Sequence, residues 1–459
     1  MIPLTLAEVA AAVGADLAGA DPRAVVTGTV EFDSRKVTPG GLFVAFPGEK
    51  VDGHDYAGVA VAAGAVAVLG SRPVEGVPML VVPDALTSMG RLARAVRDRL
   101  SDLTVVGITG SSGKTTTKDL IAQLLSTEAE IVAPAGSFNN ELGLPYTVLQ
   151  ATAATRYLVL EMGARGSGHI RYLCDIVRPD VGVVVNVGVA HIGEFGSVES
   201  IATAKAELVE SLASDGIAVL NADDPHVRAM AARTTARVVL AGVAGDAGYR
   251  AEGVTFDDRG RASYTLIHRD QKADVNLKVS GPHQVGNSLL AAAVAAELGM
   301  PLPAVAAALG HLTLVSSRRM DVFDRPDGIT VIDDSYNANP GSTAAALRAL
   351  AGMATGRRTV AVLGYMAELG DFERSGHEEV GRLAAELGVA RVVAVGGPAA
   401  PIHDGATGVA GWEGESVPVA DQDAAVAYLR DELRPGDVVL VKGSRYRTWQ
   451  VADALRDTP

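Results

Sequence analysis

The stretch LTVVGITGSSGKTTTKDLIAQLL sets a glycine-rich turn between an apolar run and an amphipathic one. Gly110 and Gly113 free the backbone amides to curl around phosphate oxygens, and Ser111, Ser112 and Thr116 complete the turn. A helix starting at Lys114 points its dipole at an anion. The Lys114 ammonium reaches terminal phosphates, and the Thr115 hydroxyl can ligate Mg²⁺. Ile108 stands where the general phosphate-loop pattern has glycine, so the match is to the shorter form G-x-x-G-K-T-T. Such a site needs a second Mg²⁺ ligand at the end of a neighbouring strand. RYLVLEMGA supplies Glu161 there, and VVVNVGVAHIG leads to His191.

A third group stands out by position. In SIATAKAELVESL, helical spacing puts Ile201, Lys205, Leu208 and Leu212 on one apolar stripe, with Glu199, Thr203, Glu207 and Glu210 opposite. An ammonium on that stripe is costly without a partner. Lys205 is also the only lysine between Lys118 and Lys272.

Parallel strands and following helices must hold these groups together. From about residue 103, LTVVGI, YLVLEMG, VGVVVNVG and GIAVLN read as strands buried on both faces. Shorter alternating runs around DDRG, between Arg250 and Val279, predict antiparallel hairpins. ITVIDDS, RTVAVLG, RVVAVGG and DVVLVKG then predict a second doubly wound α/β unit, with ligands at its strand carboxyl ends. Ahead of both lies a smaller α/β block ending in the arginine-rich helix LTSMGRLARAVRDRL. The expected domains are therefore 1–98, 99–316 and 317–459.

The 459 residues, 48% hydrophobic and 20% charged, fit a multidomain globular protein. A net charge of −14 argues against nucleic-acid binding, so phosphate sites must be local exceptions. Cys174 is the only cysteine, which precludes an intramolecular disulfide and fits a reducing compartment. The N-terminus lacks a basic region and reads as a short amphipathic helix, not a signal peptide. Ala57 to Gly70 is too short to span a bilayer and reads as a helix running into a strand. A cytoplasmic protein without membrane insertion is expected, and nothing requires more than a monomer.

Together these motifs resemble the Mur ligase family, ATP-dependent amide-forming enzymes of peptidoglycan precursor synthesis. DSRKVTPGGLFVAFPGEKVDGHDYA is similar to that family's uridine-nucleotide-binding block. GITGSSGKTTTKD, SFNNELGLPYTVL, EMGARGSGHI, NVGVAHIGEFGS, AKAEL and GPHQVGN resemble its central-domain motifs. SSRRMDVF, VIDDSYNANPGSTAAAL, VLGYMAELGD and VLVKGSR resemble its C-terminal domain. The implied architecture is a small UDP-binding domain, a P-loop-type ATPase domain on a mostly parallel sheet, and a Rossmann-like ligase domain. DDSYNANP and VLGYMAELG look most like the branch that adds D-alanyl-D-alanine to UDP-N-acetylmuramoyl-tripeptide. The D-N-P-R signature of third-residue-adding ligases is absent. Tyr365 stands where that branch usually has an acidic residue, and Ser112 where asparagine is common.

The resemblance implies an acyl phosphate made from ATP and the tripeptide carboxylate, then attacked by the dipeptide amine. It implies two Mg²⁺ ions, one held by Thr115 and Glu161 and one near His191, with Lys205 carbamylated by CO₂ into a metal-site carboxylate. His283 and Asn287 fall to the adenine region, and Arg319 and Asp334 to the phosphates and ribose. Asn139, Asn140 and Glu141 fall beside the substrate, and Ser34 and Arg35 at the uridine nucleotide. Tyr336, Asn337, Asn339, Lys442, Ser444 and Arg445 lie near the incoming groups. Lys114, His191, Lys205 and Arg319 form the implied catalytic set. Hinge closure around the substrates is expected. The rivals are another amide ligase of the family and a P-loop switch or motor ATPase. The latter would need neither a UDP block nor a second α/β unit.

Overall fold

The N-terminal helix Leu6–Val13 starts on a capping box, Thr5 accepting from the Glu8 amide while the Glu8 carboxylate accepts from that of Thr5. In the computed structural model, which describes residues 1–48, 51–188, 192–444 and 446–457, the apolar runs become strands of three larger sheets.

The first has five strands in the order Asp16–Ala18, Met79–Val81, Ala65–Gly70, Gly41–Val44 and Val30–Glu31. Only its first pair is antiparallel. The second has nine. Its parallel core runs Arg237–Gly242, Ile217–Asn221, Val181–Val184, Thr104–Thr109, Tyr157–Glu161 and Ile131–Val132. The hairpins around DDRG form as expected, Tyr249–Phe256, Arg261–His268 and Gln271–Ser280 extending the same sheet beyond Arg237–Gly242. Thr104–Thr109 lies between Tyr157–Glu161 and Val181–Val184, so the chain reverses its direction of winding beside the phosphate loop. A crevice opens at such a switch point.

The third sheet holds the four expected strands plus two edges, in the order Asp321–Asp324, Thr330–Asp333, Val438–Lys442, Thr359–Gly364, Arg391–Val395 and Glu415–Val419. Both added edges are short and half polar, so neither shows a continuous apolar run.

The parts share cores. Leu92 and Val96, on the helix Ala85–Arg99, belong to one buried cluster with Val148, Leu173 and Ile176 of the central part. Arg94 and Arg97 reach across to the carbonyls of Asp175 and Val177, at 2.5 and 3.0 Å. Ile192 and Ile201 join Met366 and Leu369 in a cluster with the C-terminal part. Among the described residues no helix is long and apolar enough to cross a membrane.

One face assignment needs correction. Ile201, Lys205 and Leu208 are buried as the stripe predicts, but Glu207, read as part of the polar face, is only 5% exposed. Its carboxylate accepts from the backbone amides of Gly168 and Arg171, at 2.6 and 3.0 Å. It thereby caps the helix His169–Val177, whose own N-cap is a glycine without a side chain.

Candidate active site

The carboxyl ends of the central strands open into a cavity of about 560 Å³ lined by all three parts of the chain. The turn from Gly110 to Thr116 forms its floor. A Cβ on Gly113 would lie 2.9 Å from the Asn287 side-chain oxygen, and one on Gly110 would lie 2.9 Å from Val185. Gly113 also has φ +78°, so this cradle requires glycine. Asn186 braces the turn, its side-chain oxygen accepting from the amides of Ser111 and Ser112 at 3.0 and 2.9 Å. Asn186 lies inside the motif NVGVAHIG, yet residue type alone gives no reason to single it out.

Glu161 ends its strand 1% exposed. One carboxylate oxygen accepts from the Thr115 hydroxyl at 2.8 Å; the other accepts from Ser137 and Asn139, at 2.9 and 2.7 Å. Ser137, absent from the sequence-based set, is thus part of the carboxylate's frame. Lys114 donates to the Gly110 carbonyl at 2.8 Å, and burial lowers its pKa, with Glu161 opposing and Arg319 adding to the shift. Arg319 extends from the C-terminal part across the cavity. It donates to the Thr115 hydroxyl at 3.3 Å and stacks 4.0 Å over the Tyr336 ring.

Lys205 faces the same cavity and has no hydrogen-bond or ion-pair partner among the described residues. Burial first, and the neighbouring Lys114 charge second, push its pKa down to about 7. Its amine is therefore substantially neutral near neutral pH.

His283 and Asn287 flank the phosphate loop. Asn287 donates to Gln284, whereas the buried His283 Nδ1 has no partner among the described residues; burial lowers the His283 pKa against the opposing pull of Asp334. Asp334 is held by Lys442 at 2.5 Å and by the Met320 amide at 3.2 Å. Lys442 also donates to the Asn337 carbonyl at 3.0 Å. Asn140, Glu141, Asn337 and Asn339 line the cavity as well.

Three sequence-selected residues lie elsewhere. Ser34 sits in the turn Ser34–Lys36 of the N-terminal part, and Arg35 is exposed and clasps Asp33 at 2.8 Å. Ser444 donates to the Tyr365 carbonyl at 2.9 Å and accepts from the Ala367 amide, tying two turns together. Tyr365 donates to Glu373 at 2.7 Å. His191 and Arg445 lie outside the described residues.

No cluster of three or more His, Cys, Asp or Glu side chains that could hold a metal occurs among the described residues. The oxygen donors of Thr115 and Glu161 are hard ligands of the kind Mg²⁺ takes, beside a loop of backbone amides shaped for phosphate.

Three family models cover most of the chain. "Mur ligase family, catalytic domain" matches residues 28–97, "Mur ligase middle domain" 108–295, and "Mur ligase, glutamate ligase domain" 318–445. The chain is 50% identical over 500 residues to the UDP-N-acetylmuramoyl-tripeptide--D-alanyl-D-alanine ligase of Mycobacterium bovis, covering 99% of this chain and 98% of that one. It is 37% identical over 450 residues to the Escherichia coli ligase of the same name, covering 97% and 96%. Among solved structures, a MurF from Acinetobacter baumannii matches with TM-score 0.90 at 29% identity over 99% of each chain. The UDP-N-acetylmuramoylalanyl-D-glutamyl-2,6-diaminopimelate--D-alanyl-D-alanyl ligase of the same organism matches with TM-score 0.84 at 28% identity over 99% of each. The MurF ligase of Thermotoga maritima in complex with ADP matches with TM-score 0.81 at 30% identity, over 94% of this chain and 97% of that one. With these matches running through all three sheets, the chain belongs to the Mur ligase family.

Proposed function

We infer that this chain ligates D-alanyl-D-alanine to UDP-N-acetylmuramoyl-tripeptide with ATP, giving the UDP-linked pentapeptide, ADP and phosphate for peptidoglycan synthesis. The observation that carries the reading is the shared cavity. Its phosphate loop, buried carboxylate and a lysine without a partner among the described residues meet cationic side chains from the C-terminal part, in a chain half identical to ligases of that name.

The chemistry begins with two anions that must approach each other. The tripeptide carboxylate oxygen attacks the γ-phosphorus, the bond to ADP breaks, and an acyl phosphate forms. The dipeptide amine then attacks the acyl carbon, phosphate departs, and the amine loses a proton to give the amide. Lys114 and Arg319 neutralise charge in the first step, and the loop amides hold the phosphates without rearranging. Ser137 and Asn139 fix the orientation of Glu161. Thr115 and Glu161, with His191 and a carbamylated Lys205, would hold Mg²⁺, two ions in all, which supply charge neutralisation when bound. The neutral Lys205 amine suits that modification: its nitrogen bonds to the carbon of CO₂ and releases a proton.

His283 and Asn287 would face the adenosine, and Asp334 the ribose and phosphates. Asn139, Asn140 and Glu141 would meet the tripeptide. Tyr336, Asn337, Asn339, Lys442, Ser444 and Arg445 would meet the incoming dipeptide, and Ser34 and Arg35 the uridine nucleotide. The three parts correspond to domains 1–98, 99–316 and 317–459, working as a cytoplasmic monomer.

Phosphate release tests the reading. It should be slight with ATP alone, and rapid only when UDP-tripeptide and D-alanyl-D-alanine are both present. Equal release without either peptide would favour the switch-type ATPase.

A further inference from the structure

Two opposite charges line the cavity mouth without pairing. Glu141 and Arg165 are both exposed, both line the cavity, and neither side chain has a hydrogen-bond or ion-pair partner among the described residues. The other arginine lining the cavity, Arg319, is engaged with Thr115 and Tyr336.

Their loops are fixed side by side. The Gly163 amide donates to the Asn139 carbonyl at 2.8 Å, and a Cβ on Gly163 would lie 3.0 Å from the Asn139 side chain. Glu141 and Arg165 each follow that junction by two residues, so the contact brings both onto one wall. Asn139 is anchored to Glu161, and the Arg165 loop is pinned at its far end by the Gly168 amide on Glu207. Neither charge is therefore carried on a free tail.

A carboxylate and a guanidinium that share a wall but leave one another unpaired suit a ligand carrying both charges close together. An α-amino-acid head is such a group: its ammonium takes the carboxylate, and its carboxylate takes the planar guanidinium. The reacting carboxylate of the tripeptide must lie deeper, beside Lys114 and Glu161. A group at the mouth therefore belongs to the part of the substrate leading away from that end.

We propose that Glu141 and Arg165 seat the distal, unreacted α-amino-acid head of the tripeptide's third residue. The enzyme would thus select a 2,6-diaminopimelate type of side chain, which ends in a zwitterion, over lysine, which ends in an ammonium alone. This rests on the ligase reading above and deepens it by naming the substrate class.

The test is steady-state ligation by the full chain with three UDP-tripeptides, ending in diaminopimelate, its distal carboxamide, and lysine. Wild-type KM should be lowest for diaminopimelate and about tenfold higher for the carboxamide, the equivalent of about 1.4 kcal/mol. In Arg165→Ala the KM values for diaminopimelate and its carboxamide should converge to within about twofold. Glu141→Gln should raise KM for the diaminopimelate and lysine peptides alike, since both carry the distal ammonium. KM for ATP and the thermal midpoint, measured alongside, report whether either variant has disturbed the fold. An unchanged preference in Arg165→Ala would overturn the proposal. So would an equal rise for all three peptides, which would assign Arg165 to the glutamyl carboxylate they share. Failure of the wild type to ligate any of the three would instead sink the ligase reading.

Discussion

A buried lysine amine beside a second ammonium is at its most reactive when neutral. With a pKa of about 7, Lys205 binds fewer protons in the folded chain than in the unfolded one between pH 7 and its ordinary pKa of 10.5. Stability contributed at this site is therefore complete above the unfolded value and lost as pH falls toward 7, below which both states are protonated. The same titration would control the carbamylation proposed above. Half the amine is available near pH 7 and roughly a tenth at pH 6. With ¹³C-bicarbonate, the enzyme at pH 8 should show a carbamate carbon resonance that weakens as pH falls below 7 and is absent in Lys205→Arg. A guanidinium does not deprotonate and so cannot form that adduct. Ligation should fall at least a hundredfold in Lys205→Arg. Near-normal turnover of this variant in CO₂-depleted buffer would remove the carbamate from the mechanism.

Among the elements, the helix that carries Lys205 also organises its neighbour. Glu207 reaches the start of His169–Val177, where Gly168 has φ +86° and no capping side chain of its own. Glu207→Ala would leave the amides of Gly168 and Arg171 without partners, a loss of about 1–3 kcal/mol. A thermal melt should show a midpoint lower by about 1–3 °C, and Glu207→Gln, which keeps a side-chain acceptor, should lose less. An unchanged midpoint in Glu207→Ala would show that the cap adds nothing. The periodicity of SIATAKAELVESL predicts this helix and its buried stripe, but it misplaces Glu207. Spacing separates an apolar stripe from a polar face without saying what lies against the polar face. A buried carboxylate matched by two amides is a tertiary pairing. The edge strands Asp321–Asp324 and Glu415–Val419 escape notice for a related reason, since an edge strand needs no continuous apolar run.

At the scale of the whole molecule, the cavity exists because three parts of the chain meet, and one contact in that meeting is unusually close. Gly193, in the short helix Ile192–Phe195, lies against Gly370 of the C-terminal part. A Cβ on Gly193 would sit 2.4 Å from the Gly370 nitrogen and 2.7 Å from its Cα. Gly370 has φ +55°, and the Gly193 amide donates to the Glu368 carbonyl at 3.3 Å. Backbone packed on backbone leaves no flexible side chain to give way. Gly193→Val should therefore separate the central and C-terminal parts and withdraw Arg319 from the phosphate loop. The expected result is ligation reduced at least tenfold, with a larger radius of gyration by small-angle scattering in the presence of an ATP analogue and UDP-peptide. Identical scattering and activity would show that this contact does not hold the cavity together.

Much of the site is legible in the residues because its chemistry is local. The phosphate loop, the strand-end Glu161 and the inward Lys205 follow from glycine spacing, apolar runs and helical period, each set by neighbours within about a dozen positions. Those same runs predict a three-part α/β architecture whose strands mostly form where expected. Tertiary structure decided what depends on distant segments meeting. It brought Arg319 to Thr115, an encounter between residues 204 positions apart in sequence. It set Asn186 and Ser137 around the loop and Glu161, turned Glu207 inward, and laid Glu141 and Arg165 on one wall. The reason is physical: local propensity fixes the direction of a side chain relative to its own element, whereas its partner is fixed by the packing of whole sheets.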